Sequence, residues 1–297
     1  MHKERIDIAH VRRNPAGRPE IISLDSFRQE GGTETSLVRL RKEFKLAQCR
    51  CATLLPHGEY QILQVDAPNV PAAEMREAVR WRVKDLIDYS VQAATMDVLD
   101  IPVNGTAPGR AKSVFAVTAN NSILGPRIHL FDSAQIPLEV VDVPELAQRN
   151  IATLFEEKNR GLVLLAFDEY GGTLTFTHEG ELYASRRIEI TLNQLMESDA
   201  RNRTIYLERI GLELQRSLDN CYRQYSLISL GQVLLLPVPG LPELAQYLGA
   251  NLDVPVNTFD LADVIDFPTI PELKSSARQA QCLHTIGVAL RAEKAAA

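Results

Sequence analysis

The side chains most often used for metal binding and nucleophilic catalysis are widely spaced in this chain. Its cysteines form no Cys-x-x-Cys pair, and no two histidines stand four residues apart. The Gly-x-Ser-x-Gly, Gly-x-x-x-x-Gly-Lys and Gly-x-Gly-x-x-Gly motifs are also absent. The residues considered are Cys49, Cys51, Cys221, Cys282, His10, His57, His129, His178 and His284. We therefore predict no metal site, no catalytic residues and no enzyme, with the cysteines as reduced, buried thiols.

Composition and charge are those of a globular protein without a nucleic-acid partner. The 297 residues are 45% hydrophobic and 24% charged, enough for two lobes or one large α/β unit. The net charge of −6 argues against nucleic-acid binding. Residues 1–50 are nevertheless basic, with 11 Lys and Arg against 7 Asp and Glu. This excess would suit anionic lipid or an acidic partner, or it is an ordinary solvated surface.

No apolar stretch approaches the ~20 residues that a membrane-spanning helix needs. The N-terminal residues also lack the apolar core of a signal peptide. We therefore expect a cytoplasmic protein that reaches a membrane only through a partner.

Strand and helix patterns alternate on both sides of the charged segment 156–160. Three strands joined by glycine turns follow that segment and predict a β-meander, and a long amphipathic helix comes next. A turn at 14–17 predicts a β-hairpin near the start of the chain. Because each half begins with a strand meander and continues with helices and strands, we predict a duplicated α/β architecture with a boundary near residue 158. The meander strands are 162–167, 173–178 and 181–189.

Residues 72–87 show the clearest amphipathic pattern. Their apolar residues recur at steps of four, four and three and predict a helix face turned to the core. Arginine and tryptophan occur elsewhere around the helix, and these residue types dominate the energetics of many interfaces. The alternative is that the tryptophan packs at a subdomain seam and the arginines are solvated. The predicted core face is Met75, Val79, Val83 and Leu86, and the candidate partner-binding residues are Arg76, Arg80, Trp81 and Lys84.

Several segments together resemble one known family. They are 60–68 (YQILQVDAP), 74–88 (EMREAVRWRVKDLID), 140–147 (VVDVPELA), 212–219 (LELQRSLD), 239–244 (PGLPEL) and 286–291 (IGVALR). In this order they resemble the MshI family of mannose-sensitive haemagglutinin (MSHA) pilus biogenesis proteins, which is similar to PilM of type IV pili. The resemblance implies an actin-like ATPase fold: two duplicated, ribonuclease H-like lobes around a nucleotide cleft. Lobe one would be 1–157, with a small subdomain inserted at about 58–112, and lobe two 158–297.

The resemblance also implies where nucleotide would bind. Active members hold phosphates in two Asp- and Gly-containing hairpin loops, and a glycine turn contacts adenosine. The first loop would be 7–11, where Asp7 is present but no glycine follows. The second would be 168–173, where a plain hairpin turn is the favoured interpretation. The glycine turn that would contact adenosine contains Gly240, which is flanked by prolines. We therefore predict a vestigial cleft that binds no cofactor, with ATP and Mg²⁺ as the alternative; its residues are Asp7, Asp168, Gly171, Gly172, Thr173 and Gly240.

The function implied by the resemblance is that of a cytoplasmic scaffold at the inner membrane. The partner would be the cytoplasmic tail of a membrane-anchored PilN-like protein, and an assembly motor ATPase is a possible second partner. The tail could add to a sheet edge beside the inserted subdomain through backbone hydrogen bonds. The alternatives are an ATP-binding conformational switch of the same machine and a component of a type II secretion platform.

Overall fold

The computed structural model describes residues 1, 4–13, 17–29, 31–103, 111–197 and 199–291. Most of the predicted turn at 14–17 lies outside the described residues. Within the described part of the chain, no helix is long and apolar enough to cross a membrane.

The described residues form alternating strands and helices, in good agreement with the predicted pattern. The strands are β1 (Arg5–Arg12), β2 (Glu20–Arg28), β3 (Cys51–Leu54), β4 (Gln61–Asp66), β5 (Ala94–Asp100), β6 (Ser113–Asn120), β7 (Leu138–Asp142), β8 (Gly161–Phe167), β9 (Gly172–His178), β10 (Glu181–Ile188), β11 (Leu230–Leu235) and β12 (Val256–Thr258). The helices are α1 (Thr33–Glu43), α2 (Ala72–Val83), α3 (Asn121–Ser133), α4 (Pro144–Ala152), α5 (Leu192–Met196), α6 (Ala200–Gln224), α7 (Glu243–Asn251) and α8 (Ser276–Ala289).

The chain divides into two compact units. The described residues of the first fall within Met1–Ile6, Ser26–Val103 and 111–143, and those of the second within Asp7–Asp25 and 144–291. This division differs from the predicted boundary at 157/158 because α4 packs against α8 and β9 of the second unit. It also assigns residues 7–25, the middle of the β1–β2 hairpin, to the second unit.

The first unit contains two small sheets. Strands β3 and β7 pair in parallel, and β4, β6 and β5 form an antiparallel sheet in that order. Helix α2 covers the three-stranded sheet by burying Val79 and Val83 against Met96, Val114 and Ala116. The predicted insert at 58–112 therefore omits β6, the central strand of this sheet.

Helix α2 ends four residues earlier than predicted, and this changes which side chains are buried. The Leu86 N–H donates to the Val83 carbonyl oxygen, a tightened turn that ends the α-helical path. As a result Leu86 is 53% exposed, so its predicted place on the core face is wrong. Ile87 is buried instead and packs with Val91 and Ala94.

The second unit is built on a five-stranded sheet. Its order is β10–β9–β8–β11–β12, with β8, β11 and β12 parallel and the β8–β9–β10 meander antiparallel, as predicted. Strand β8 is buried along its whole length, which explains its continuous apolar sequence. Leu164, Leu234 and Ile286 join Ile21 and Leu24 of the hairpin in one core.

Candidate functional site

The turn between β8 and β9 carries the aspartate of the predicted second loop. Asp168 Oδ1 accepts hydrogen bonds from the backbone N–H groups of Tyr170 (2.7 Å) and Gly171 (3.1 Å). The Asp168 N–H donates to the Gly171 carbonyl oxygen, and its carbonyl oxygen accepts from the Leu192 N–H. Asp168 thus caps its own turn and anchors the start of α5.

The second carboxylate oxygen of Asp168 faces a histidine from the C-terminal helix. His284 Nδ1 lies 3.2 Å from Asp168 Oδ2, and the two side chains are only 11% and 15% exposed. His284 Nε2 lies 3.3 Å from Gln148 Oε1. Asp168, His284 and Gln148 therefore form a chain of contacts that joins the turn to α8 and α4.

The hydrogen-bond partners of Gln148 determine which atoms donate and which accept in the Asp168–His284–Gln148 contacts. The Gln148 side chain is fully buried, and its Nε2 lies 2.9 Å from the carbonyl oxygens of Leu164 and Thr173. Carbonyl oxygens only accept, so the amide nitrogen must face them and Oε1 must face His284. His284 Nε2 therefore carries a proton. A second proton must lie between Nδ1 and Asp168 Oδ2 for that contact to be a hydrogen bond.

The two glycines of this turn are required by its own packing. A Cβ on Gly171 would lie 2.8 Å from the carbonyl oxygen of Ile188, and the φ of Gly171 is +144°. A Cβ on Gly172 would lie 2.6 Å from the ring of Phe167. The hairpin therefore needs both glycines even without a phosphate to cradle, which supports the plain-turn interpretation.

The remaining residues of the predicted cleft also have local roles. Thr173 is 1% exposed, and its carbonyl oxygen accepts from Gln148. Gly240 has a φ of +81° in the turn before α7. Asp7 lies inside strand β1, so segment 7–11 is an extended strand rather than a loop.

These residues do not fit a nucleotide and its Mg²⁺ well. Mg²⁺ sites in nucleotide-binding proteins use one or two carboxylates and the phosphates. Both oxygens of Asp168 already have polar partners in the chain itself: two backbone N–H groups donate to Oδ1, and His284 Nδ1 contacts Oδ2. No three His, Cys, Asp or Glu side chains of the described residues are grouped as a metal site.

The second candidate site is the surface of α2 in the first unit. Some of its predicted side chains are held by contacts within the unit, and others are exposed and could contact a partner. Arg80 is largely covered, and its Nη1 donates to the carbonyl oxygens of Val91 (3.0 Å) and Ala94 (3.3 Å). Arg76 pairs with Asp97 on β5 at 3.0 Å, and both side chains are well exposed. Arg80 therefore holds α2 to the following segment, and Arg76 makes a surface ion pair of small energetic value.

Trp81 and Lys84 are the predicted residues that this surface leaves available. Trp81 is 57% exposed, which contradicts the alternative that it packs at a seam. Lys84 is exposed and has no carboxylate partner among the described residues. Leu86 adds a second exposed apolar side chain just beyond the helix. The three residues, Trp81, Lys84 and Leu86, form what we call the α2 end surface.

Sequence reasoning missed Gln148, His284 and Leu86 as members of these sites. Gln148 is a fully buried amide on α4, and a buried amide of this kind usually serves a hydrogen-bond network. His284 was treated as one of several scattered histidines, and its partner Asp168 is 116 residues away. Only the folded arrangement brings the two together.

Comparison with known proteins gives matches among solved structures alone. No protein-family model and no curated protein matches this chain. The chain is similar to the structure of the PilM–PilN type IV pilus biogenesis complex, with 21% identity over 98% of this chain and 96% of that one and a TM-score of 0.68.

Two further similarities are weaker. One is to the cytoplasmic domain of EpsL, an inner-membrane component of the type II secretion system of Vibrio cholerae (12% identity, 79% of this chain, 84% of that chain, TM-score 0.44). The other is to a protein of unknown function with an actin-like ATPase fold from Bacteroides thetaiotaomicron (10% identity, 86% and 91%, TM-score 0.46). The chain has the α/β actin-like ATPase fold, as predicted.

Proposed function

We propose that this chain is a PilM-like scaffold of a type IV pilus assembly machine that binds the cytoplasmic tail of a PilN-like membrane protein. The observation that carries the proposal is the similarity to the PilM–PilN complex over 98% of this chain. The match also covers 96% of that chain, so the fold is shared over almost the whole length of both. Fold similarity alone does not fix function, so the proposal also needs a suitable surface.

The α2 end surface offers the chemistry of a peptide-binding site. Trp81 and Leu86 provide apolar contacts, and Lys84 provides an exposed positive charge that forms no ion pair among the described residues. Beneath α2, the outer strands β4 and β5 pair only with β6 among the described residues. An extended tail could add to one of these edges through backbone hydrogen bonds while its side chains contact the α2 end surface.

We further propose that binding proceeds without ATP turnover. The support is the Asp168 turn, in which backbone N–H groups and His284 already engage the carboxylate. A competing ligand would have to displace contacts that are largely buried. The protein would then work as a static connector and not as an enzyme.

The finer assignment is to the MSHA type of pilus, and it rests on the MshI-like segments of the sequence. In this assignment the protein is cytoplasmic and peripheral at the inner membrane, held there by its partner. An assembly motor ATPase would be a second partner. The same scaffold role in a type II secretion platform is the alternative, and the tail that binds decides between the two machines.

The second candidate function is an ATP-binding conformational switch. Asp168, Gly171 and Gly172 remain at the position that the fold family uses for phosphate, and this retention favours it. It predicts that Mg²⁺-ATP changes the affinity for the tail. The scaffold proposal predicts no change.

The proposal can be tested with a synthetic peptide of the cytoplasmic tail of a PilN-like membrane protein. Trp81 is the only tryptophan, so its fluorescence reports directly on the α2 end surface. Burial by the peptide should shift the emission to shorter wavelength, and a titration gives the Kd. The Trp81→Ala variant has no tryptophan, so its Kd is measured by calorimetry. The substitution should weaken binding at least about tenfold, because removal of a central aromatic contact typically has an effect of this size.

Ile128→Ala is the matched control. Ile128 is an exposed apolar residue (42%) on α3 of the same unit, and its replacement should leave the Kd unchanged. The proposal fails if no tail from a pilus or type II secretion membrane protein binds. Equal effects of the two replacements would instead locate the tail elsewhere on the chain.

A further inference from the structure

Helix α6 carries exposed apolar residues on the side that faces away from the core of its unit. Its inner face buries Ile210, Leu214, Leu218 and Cys221. The outer face nevertheless exposes two large aliphatic side chains, Ile205 and Leu212, each 48% exposed. A helix whose only role is to cover its sheet needs no apolar residue there.

Two sets of exposed residues on this side of α6 recur every seven positions. Ile205 and Leu212 are seven apart, as are Arg209, Arg216 and Arg223, and all five are exposed. Seven residues turn the helix by about 700°, roughly 20° short of two full turns, so each set forms a nearly straight line. The arginines lie four residues after the aliphatic positions or their continuation. We call these five residues the heptad face.

Charge on the heptad face is only partly compensated. Arg216 Nη1 lies 3.5 Å from Glu213 Oε1, but Glu213 is shared with Arg186 at 3.6 Å. Arg209 has no carboxylate partner among the described residues. A row of exposed arginines in a chain of net charge −6 is a locally basic stripe.

We propose that the heptad face docks an acidic amphipathic helix of another protein. A partner helix crossing α6 at a shallow angle would place apolar residues between Ile205 and Leu212, as in coiled-coil packing. Its flanking glutamates or aspartates would meet the row of arginines, whose planar guanidinium groups bind carboxylates well. This site lies in the second unit and is independent of the tail-binding proposal.

Charge argues against two other occupants. A second copy of this chain would bring one row of arginines against another in an antiparallel helix pair, or beside it in a parallel pair. An anionic membrane would be repelled by two exposed carboxylates, Glu208 on the other flank of the aliphatic positions and Asp219, which continues their line seven residues after Leu212. The main apolar face of α6 is also buried within its own unit, so it is unavailable for lipid.

The test uses two synthetic three-heptad helices with leucine at the seam positions. One carries glutamate at the flanking positions and the other carries lysine. We expect the acidic peptide to bind the purified full chain and the basic one not to bind. The double variant Arg209→Glu, Arg216→Glu should weaken binding of the acidic peptide at least about tenfold, because two attractive charge interactions become repulsive. Leu212→Asp should weaken it similarly.

The matched control is Lys158→Glu with Lys274→Glu, which makes the same change in net charge at exposed lysines of the same unit. It should leave the affinity within about twofold. Circular dichroism and urea unfolding establish that each variant is folded. No binding of the acidic peptide, or equal loss in the control, overturns the proposal. If the chain binds anionic vesicles and the arginine variant does not, the heptad face binds a membrane and the proposal is wrong. If the chain self-associates through this face, a second copy is the occupant and the proposal is also wrong.

Discussion

Asp168 obtains its hydrogen-bond partners from the chain itself. Two come from the backbone of its own turn and one from His284, whose other ring nitrogen donates to the fully buried Gln148. In a poorly solvated position, each of these groups would be costly to leave unpaired. His284 thus acts as a positioning residue for the β8–β9 turn.

The first prediction concerns His284. His284→Ala removes the donor to Gln148 Oε1 and the partner of Asp168 Oδ2, so the free energy of unfolding should fall by about 1–3 kcal/mol. Urea unfolding followed by circular dichroism measures the loss. His129→Ala, an exposed histidine with one long contact to Ser133, is the control and should change little. A loss no larger than that of the control would contradict the assigned role.

The second prediction concerns the cysteines. All four are free. Burial raises the pKa of the Cys51 thiol to about 11 and that of Cys221 to about 12. A raised thiol pKa keeps the sulfur protonated through neutral pH, and the thiolate is the reactive form. Iodoacetamide at pH 8 should therefore leave both unmodified in the folded protein, as judged by mass spectrometry, and rapid labelling of Cys221 would contradict its burial.

At the level of elements, helix α2 illustrates how far periodicity can be followed. The spacing of Met75, Val79 and Val83 correctly predicted the buried face. The step to Leu86 failed because the helix tightens and ends at Val83, which exchanges the places of Leu86 and Ile87. Helix ends depend on a few backbone hydrogen bonds that leave little trace in the pattern of apolar residues.

The crossing of α4 and α8 provides the third prediction. A Cβ on Gly287 would lie 2.2 Å from the carbonyl oxygen of Ala147, so the two helices touch through backbone. Gly287→Ala must separate them and should cost about 1–3 kcal/mol in unfolding free energy. Thermal or urea unfolding gives the value.

Gly249→Ala in α7 is the matched helical control. Its added Cβ would meet only Val256, at an ordinary contact distance of 3.9 Å. The change should be neutral or stabilising by up to about 1 kcal/mol, because alanine favours helix over glycine. Equal effects of the two replacements would contradict the close crossing.

For the whole molecule, the fold could be predicted more completely than the site. Continuous apolar strands such as Leu162–Phe167, glycine turns and amphipathic helices specify the order of elements locally. The short helix α5 was missed because five residues carry too little periodicity. The predicted boundary followed the charged segment 156–160, whereas packing assigns α4 to the second unit. Packing between segments that are distant in sequence cannot be predicted from the local sequence pattern.

The site could be predicted only in part, for the same reason. The glycines at 171 and 172 stood out in the sequence, but the sequence does not tell whether a phosphate or a neighbouring strand requires them. The structure supplies Ile188 and Phe167 as the groups they approach. Trp81 was recognised from its residue type, and its exposure required the fold.

The central claim is that the chain binds a partner's tail without using nucleotide. The most direct test is to measure the Kd of the PilN-like tail peptide by calorimetry, once with EDTA and once with millimolar Mg²⁺-ATP. We predict that the tail binds in both conditions with the same Kd, and that the same holds for Asp168→Ala. A Kd that changes with Mg²⁺-ATP, and ceases to change in Asp168→Ala, would contradict the account and establish a nucleotide-controlled switch.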